Sequence, residues 1–184
     1  MPEAPLEETE FGLVPKGAGW FVLNAREATW VAAEGRGALC TFEGKTLGGE
    51  ADFSQLGINV RILGPGEPMS MYHWEADQED FLVLAGEALA IVEREERPLR
   101  AWDFFHCPAG AMHTVVGAGD GPCVIVAVGA RDKSVDNQDW GGYPVEETAL
   151  RHGAGVQQET TDPQEAYAGL QHRQPARYRD GWLP

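Results

Sequence analysis

The sequence predicts an all-β chain, an antiparallel sandwich or barrel, on three observations. Short β-branched or aromatic runs recur from Trp20 to about Gly129, and Gly, Pro and charged clusters punctuate them. No stretch of that region sustains a 3.6-residue apolar period, which argues against a helical bundle or a βαβ fold. The longest strongly apolar stretch, Cys123 to Val128, falls far short of the ~20 residues of a membrane-spanning helix.

Taken in order, residues 1–16 are acidic and hold Pro2, Pro5 and Pro15, which predicts a mobile arm or an extended strand lying on a partner subunit. The predicted strands are Trp20–Leu23, Thr29–Ala33, Ala38–Phe42, Leu56–Leu63, Phe81–Val92, Trp102–Cys107, His113–Val116 and Cys123–Val128. Gly64-Pro-Gly-Glu-Pro68, Glu93 to Pro98 and Gly117 to Pro122 read as the connections between them. The domain proper is therefore expected over 17–130, followed by an extension over 131–184. In that extension Pro144–His152 and Asp162–Leu170 resemble short helices. The second opens on an Asp N-cap, Pro163 at the first helical position and Glu165 in the first turn. Beyond Gln171 the chain is polar and predicts no regular structure.

Charge and cysteine usage narrow the function. The 184 residues carry 14 Lys and Arg against 29 Asp and Glu, a formal charge of −15 with no basic stripe, so neither nucleic acid nor a membrane surface is an expected partner. Cys40, Cys107 and Cys123 form no Cys-x-x-Cys pair, which argues against a disulfide framework or a zinc finger and points to the reducing cytoplasm.

Two segments carry the chemistry. In Gly66-Glu-Pro-Met-Ser-Met-Tyr-His73-Trp-Glu75-Ala-Asp-Gln-Glu79, the residues His73, Glu75 and Glu79 sit at even spacings, so in extended chain they leave one face. In Trp102-Asp-Phe-Phe-His-Cys-Pro108-Ala-Gly110-Ala-Met-His113, the Pro-Ala-Gly turn can aim His113 into the same interior. Residues 67–96 also concentrate the charge. Nine carboxylates stand there against Arg94 alone, so −8 of the −15 lies in one window, an arrangement that a bound cation relieves.

These segments resemble the two motifs of the cupin superfamily, G-x5-H-x-H-x3/4-E-x6-G and G-x5-P-x-G-x2-H-x3-N. His73 takes the first His position and Glu79 the Glu position, with Gly86 six residues on. Pro108, Gly110 and His113 match the second motif. The resemblance covers about residues 55–130 and implies a double-stranded β-helix, or jelly roll, that cups one divalent metal. Glu75 stands where the family has its second His. Gly66 lies one residue farther from His73 than the family's glycine, Trp102 replaces the second motif's leading Gly, and Gly117 its closing Asn.

A set of His73, Glu75, Glu79 and His113 suits Fe(II), Mn(II), Zn(II) or Ni(II) and leaves about two octahedral positions open. Without Glu75 the remaining three are a 2-His-1-carboxylate set, and Glu75 becomes a candidate base. The expected function is a metal-dependent enzyme on a small organic acid or carbonyl compound, of dioxygenase, isomerase or lyase type. The alternative is a non-catalytic cupin that binds, senses or stores a small ligand or metal. The resemblance further implies a homodimer, with residues 1–50 as contributors, because an open jelly roll must cover its edge strands.

Overall fold

Strand pairing in the computed structural model, which describes residues 1–47, 49, 52–132 and 140–184, closes two antiparallel sheets on one another. The strands are β1 Leu6–Thr9, β2 Gly12–Pro15, β3 Trp30–Ala32, β4 Ala38–Thr41, β5 Leu56–Leu63, β6 Trp74–Glu75, β7 Glu79–Ala85 and β8 Glu87–Val92. They continue with β9 Glu95–Arg100, β10 Phe104–Cys107, β11 His113–Ala118, β12 Cys123–Ala130, β13 Gly141–Gly142 and β14 Gln174–Ala176, beside the short helices α1 Glu147–Arg151 and α2 Pro163–Ala166. The larger sheet has the order β10-β7-β12-β5-β4-β3-β14 and the smaller β11-β8-β9. This is an all-β jelly roll, a double-stranded β-helix, with a small helical part near its C-terminus.

Alternation along β12 shows how the two faces are used. Ile125 and Ala127 point between the sheets, joining Leu63, Phe81 and Val83 from the large sheet and Ala88 and Val115 from the small one. Val124 and Val126 point outward, yet Val124 is buried because a second apolar layer covers that face. Trp30 is its centre, fully buried, with the rings of Trp182 and Tyr178 at 5.1 and 6.2 Å. Both faces of the large sheet are therefore desolvated, which explains why its strands read as continuous rather than alternating apolar runs.

Leu23, Ala25 and the chain's C-terminal end help build that second layer. Residues 1–16 hold the β1–β2 hairpin, joined to the same chain by Ala4 N donating to Trp20 O and Leu13 N to Glu27 O. Residues beyond Gln171, expected to lack regular structure, pair β14 with β3 and seat Tyr178, Trp182 and Leu183 on the sheet; the aromatic residues, not local periodicity, anchor them. Two further expectations are corrected. Trp20–Leu23 forms no strand beyond a single bridge from Trp20 to Glu3, and Glu93–Pro98, read as a connection, contains most of β9. An edge strand that is exposed along nearly its whole length has no apolar pattern to reveal it.

Glycines and one tryptophan set the turns that aim the site. Gly86 separates β7 from β8 at φ 74°, where a Cβ would lie 2.5 Å from the Pro122 carbonyl oxygen. Gly117 stands where the family motif has Asn, because a Cβ there would overlap the Gly64 carbonyl oxygen. Trp102, in place of the second motif's leading Gly, adopts the left-handed φ of 76° that glycine would adopt without strain. Helix α2 begins as the sequence predicts, with the Asp162 side chain accepting from Gln164 N; Glu165 accepts from Thr160 Oγ1 instead of completing a capping box.

Replacing Gly86 by Ala is expected to lower the unfolding free energy by about 2 kcal/mol, from backbone strain and the clash with Pro122 together. Urea unfolding of the two proteins measures it, and a change below about 0.5 kcal/mol refutes the requirement for glycine.

Candidate metal centre

His73 and His113 face each other as an antiparallel pair that exchanges both backbone hydrogen bonds: His73 N to His113 O at 3.1 Å and His113 N to His73 O at 2.7 Å. Residues opposed in this way present side chains on the same face. The imidazole centroids consequently lie 4.8 Å apart inside the barrel, and both rings are buried. Glu79, the first residue of β7, reaches in from the large sheet. Its Oε2 is 3.0 Å from His113 Nε2 and 3.3 Å from His73 Nε2. One ligand atom from each of the three lies within 4.8 Å of the others. Glu75, on β6, places Oε1 3.5 Å from His73 Nε2 at the lip of the site, adjacent to the group of three.

The tautomers follow from the backbone. His73 Nδ1 donates to Met71 O at 2.8 Å and His113 Nδ1 to Ala111 O at 3.0 Å, because a carbonyl can only accept. In the neutral rings Nε2 then carries a lone pair aimed at a carboxylate oxygen, itself only an acceptor. Glu79 Oε2 and His113 Nε2 are buried without a hydrogen-bond partner. Three acceptors converging in a buried space require a cation between them, either a proton or a metal ion.

The electrostatics give the same answer. Burial alone would depress the His73 pKa, but the Glu75 and Glu79 carboxylates facing its Nε2 override it and lift the pKa to about 10. Burial pushes the Glu79 carboxyl up, and the His113 and His73 rings facing its Oε2 more than reverse this, bringing it down to about 2. In the metal-free protein a proton on His73 fills the cation's role. Oxygen and imidazole donors of this kind fit a divalent first-row ion.

Several site residues lie outside the two motifs. A cavity of about 520 Å³ opens beside Glu75 and Glu79 and is further lined by Asn59, Arg131, Trp140 and Tyr143. The Arg131 guanidinium is held by a bidentate pair with Glu43, at 2.5 and 2.8 Å. Tyr143 packs its ring 5.9 Å from His73, and burial raises its phenol pKa, so it is protonated at neutral pH. The run Trp140-Gly-Gly-Tyr143 carried a usable signal. A Cβ at Gly141 would overlap the Trp74 carbonyl oxygen, so the paired glycines mark close backbone approach to the His73–Glu75 segment.

Phe81 and Phe105 wall His113, with centroids at 5.4 and 6.1 Å, whereas Phe104 is exposed on the outer face. Tyr72 points away, into a cluster with Ile91 and Ala149. His106 is exposed and contacts Asp80 Oδ1 at 2.7 Å.

Residues 59–129 match the family described as Cupin domain. No curated protein sequence matches the chain. Among solved structures it is similar to a sugar phosphate isomerase from a cupin superfamily of Silicibacter pomeroyi, at 25% identity and TM-score 0.43, covering 58% of this chain and 62% of that one. It is also similar to a DMSP lyase from Ruegeria pomeroyi, at 26% identity and TM-score 0.44, covering 53% of this chain and 48% of that one. A conserved protein with a double-stranded β-helix domain from Klebsiella pneumoniae aligns at 18% identity and TM-score 0.47, covering 60% and 85% of the two chains. The chain thus spans about three fifths of the isomerase's length and about half of the lyase's.

The His73 proton gives a pH signature. A folded pKa raised to about 10 contributes stability that is complete below the ordinary value of 6.5 and is lost as pH rises through about 10. Metal-free protein is therefore expected to lose stability on going from about pH 7 to pH 10, and metal uptake near pH 7.5 is expected to release about one proton per chain. Calorimetric titration in buffers of differing ionisation enthalpy counts that proton; a count of zero contradicts the protonated metal-free site.

Proposed function

We propose that this chain, a member of the cupin superfamily through residues 59–129, holds one divalent cation on His73, Glu79 and His113 and acts on a small organic acid or carbonyl compound in the adjoining cavity. The observation that supports it is the convergence of buried, unpartnered Glu79 Oε2 and His113 Nε2 with a His73 ring fixed by its own backbone. Fe(II), Mn(II), Zn(II) and Ni(II) all suit such donors. Bound there, the ion supplies a Lewis acid that polarises a carbonyl, enolate or carboxylate oxygen.

The chain's residues supply the rest. Glu75 stands at the lip with a partly exposed carboxylate, free to take a proton from a bound molecule or to complete the coordination as a fourth ligand. The Tyr143 phenol keeps its proton and faces the same carboxylates, so it can give a proton back. A base and an acid flanking one metal-bound group favour an isomerase or lyase, in which a proton is removed at one atom and delivered at another, over a dioxygenase. Phe81 and Phe105 keep the inner side of His113 dry.

Location and assembly follow the same reading. No helix among the described residues is long and apolar enough to cross a membrane. Cys40, Cys107 and Cys123 are free and buried, and burial raises their thiols to between about 11 and about 12, which suits a cytoplasmic protein. We expect a homodimer formed through the first 50 residues; a monomeric mass by light scattering in dilute solution rejects it.

Protein purified without added metal is expected to carry close to one divalent ion per chain. His113→Ala should weaken that binding by on the order of 100-fold or more, since even outer partners of a ligand are worth 10–100-fold. Glu75→Gln should keep the metal while lowering turnover by roughly 10²–10⁴-fold. Elemental analysis and assays on hydroxy acids and diketones read both, and full metal content in His113→Ala defeats the proposal.

A further inference from the structure

Arg61 is a cation that the metal chemistry leaves unused. It lies on β5 between Asn59 and Leu63, and strand alternation turns all three into the space between the sheets, opposite to Val60 and Ile62. Its register partner on β12, Ile125, belongs to the inner core. Arg61 Nε donates to Asn59 Oδ1 at 2.7 Å, and Asn59 lines the same cavity as Glu75 and Glu79. The guanidinium thus lies inside the barrel, bonded to a residue that lines the cavity.

Two more arginines stand close by. Arg36 stacks on the Tyr167 ring at 4.7 Å, and that ring packs against Tyr143, which in turn touches His73. Arg173 donates through Nη2 to the Arg36 carbonyl at 2.8 Å, while its Nε is buried without a partner. Among the described residues none of the three is ion-paired, although Glu75, Glu79 and other carboxylates are near enough to form pairs with histidines. Burial and the neighbouring Arg61 and Arg36 bring Arg173 down to about 10, and burial lowers Arg61 as well. Like charges gathered in a part-buried space, with Glu79 and Glu67 acting on Arg61 and Arg173 only from beyond ion-pair distance, are costly, and an oxyanion relieves the cost while matching the guanidinium fork.

We propose that the molecule handled at the metal centre carries an oxyanion, a carboxylate or a phosphate, that seats on the Arg61 guanidinium, with Arg36 and Arg173 adding to the positive field. This deepens the metalloenzyme reading by naming the substrate class, but the seat itself needs no metal. One end of such a molecule reaches the metal centre while the other is held by Arg61. Of the 14 basic residues in an acidic chain, three are thereby assigned to one ligand.

The test titrates inorganic phosphate and malonate into Mn²⁺-loaded and metal-free protein by calorimetry. At least one anion should bind the wild type in both forms, and Arg61→Gln should weaken it roughly 10- to 100-fold with its Mn²⁺ content unchanged, as expected for losing charged hydrogen bonds. Arg61→Lys, which keeps the charge and loses the fork, should fall between the two. Preference for phosphate over malonate, or the reverse, identifies the oxyanion. Equal affinity in the wild type and a folded Arg61→Gln protein overturns the proposal, as does failure of both anions to bind the wild type at millimolar concentration. Should Arg61→Gln not fold, undiminished affinity in Arg61→Lys overturns it instead. Absence of Mn²⁺ binding in the wild type would remove the metal reading alone, and the metal-free arm would still decide the anion seat.

Discussion

Two backbone hydrogen bonds between His73 and His113 are the constraint on which the site depends. They clip the start of β11, in the small sheet, to a segment that leads into β7, in the large one, so the barrel's closure and the placing of two imidazoles are one event. Each ring is then steadied by a carbonyl two residues earlier in its own chain, Met71 for His73 and Ala111 for His113. Orientation and tautomer are local consequences of how the chain enters the pair, and no distant side chain is needed to fix them. Glu79 needs only to open β7 opposite Gly129 to meet both Nε2 atoms.

The acidic window at 67–96 has a more ordinary explanation than a single cation. Glu67 accepts from Gly64 N, Glu93 from Met112 N, Asp80 faces His106, Glu95 faces Arg97, and Glu96 contacts Arg151 and His152. These five carboxylates hold turns or make surface pairs, which are worth little individually. Only Glu75 and Glu79 converge on the site. Local charge density is therefore weak support for a metal, and the converging acceptors, two of them unpartnered, are strong support.

Much of the fold was legible because its strands bury both faces and its turns carry Gly and Pro. Leu56–Leu63 emerged with the bounds the apolar run predicts, and Cys123–Val128 grew by two residues. Signals failed where structure is made by partners far along the chain. β9 is an exposed edge, the β1–β2 hairpin has too few residues to show a pattern, and the tail is held by Tyr178 and Trp182 seating on Trp30. The same division applies to the site. His73, Glu79 and His113 sit inside motifs whose spacing is local, whereas Asn59, Arg131 and Tyr143 reach the cavity through sheet register and the C-terminal extension, which no spacing encodes.

Net charge excludes partners only at the range over which it acts. A polyanion such as a phosphate backbone must meet many acidic side chains at once, so −15 is decisive against it. A small anion that enters the barrel leaves most of those charges more than a Debye length away, about 8 Å at physiological salt, where they are screened. Inside, a guanidinium at about 4 Å contributes on the order of 4 kcal/mol at an effective dielectric near 20, several times its value in water. The near field wins over the far one. An acidic surface and an interior guanidinium are then compatible parts of one design: the exterior turns away large anions, and the cavity, with Glu75 and Glu79 on its wall and Arg61 bonded to the Asn59 that lines it, gives a small one a single direction in which to lie.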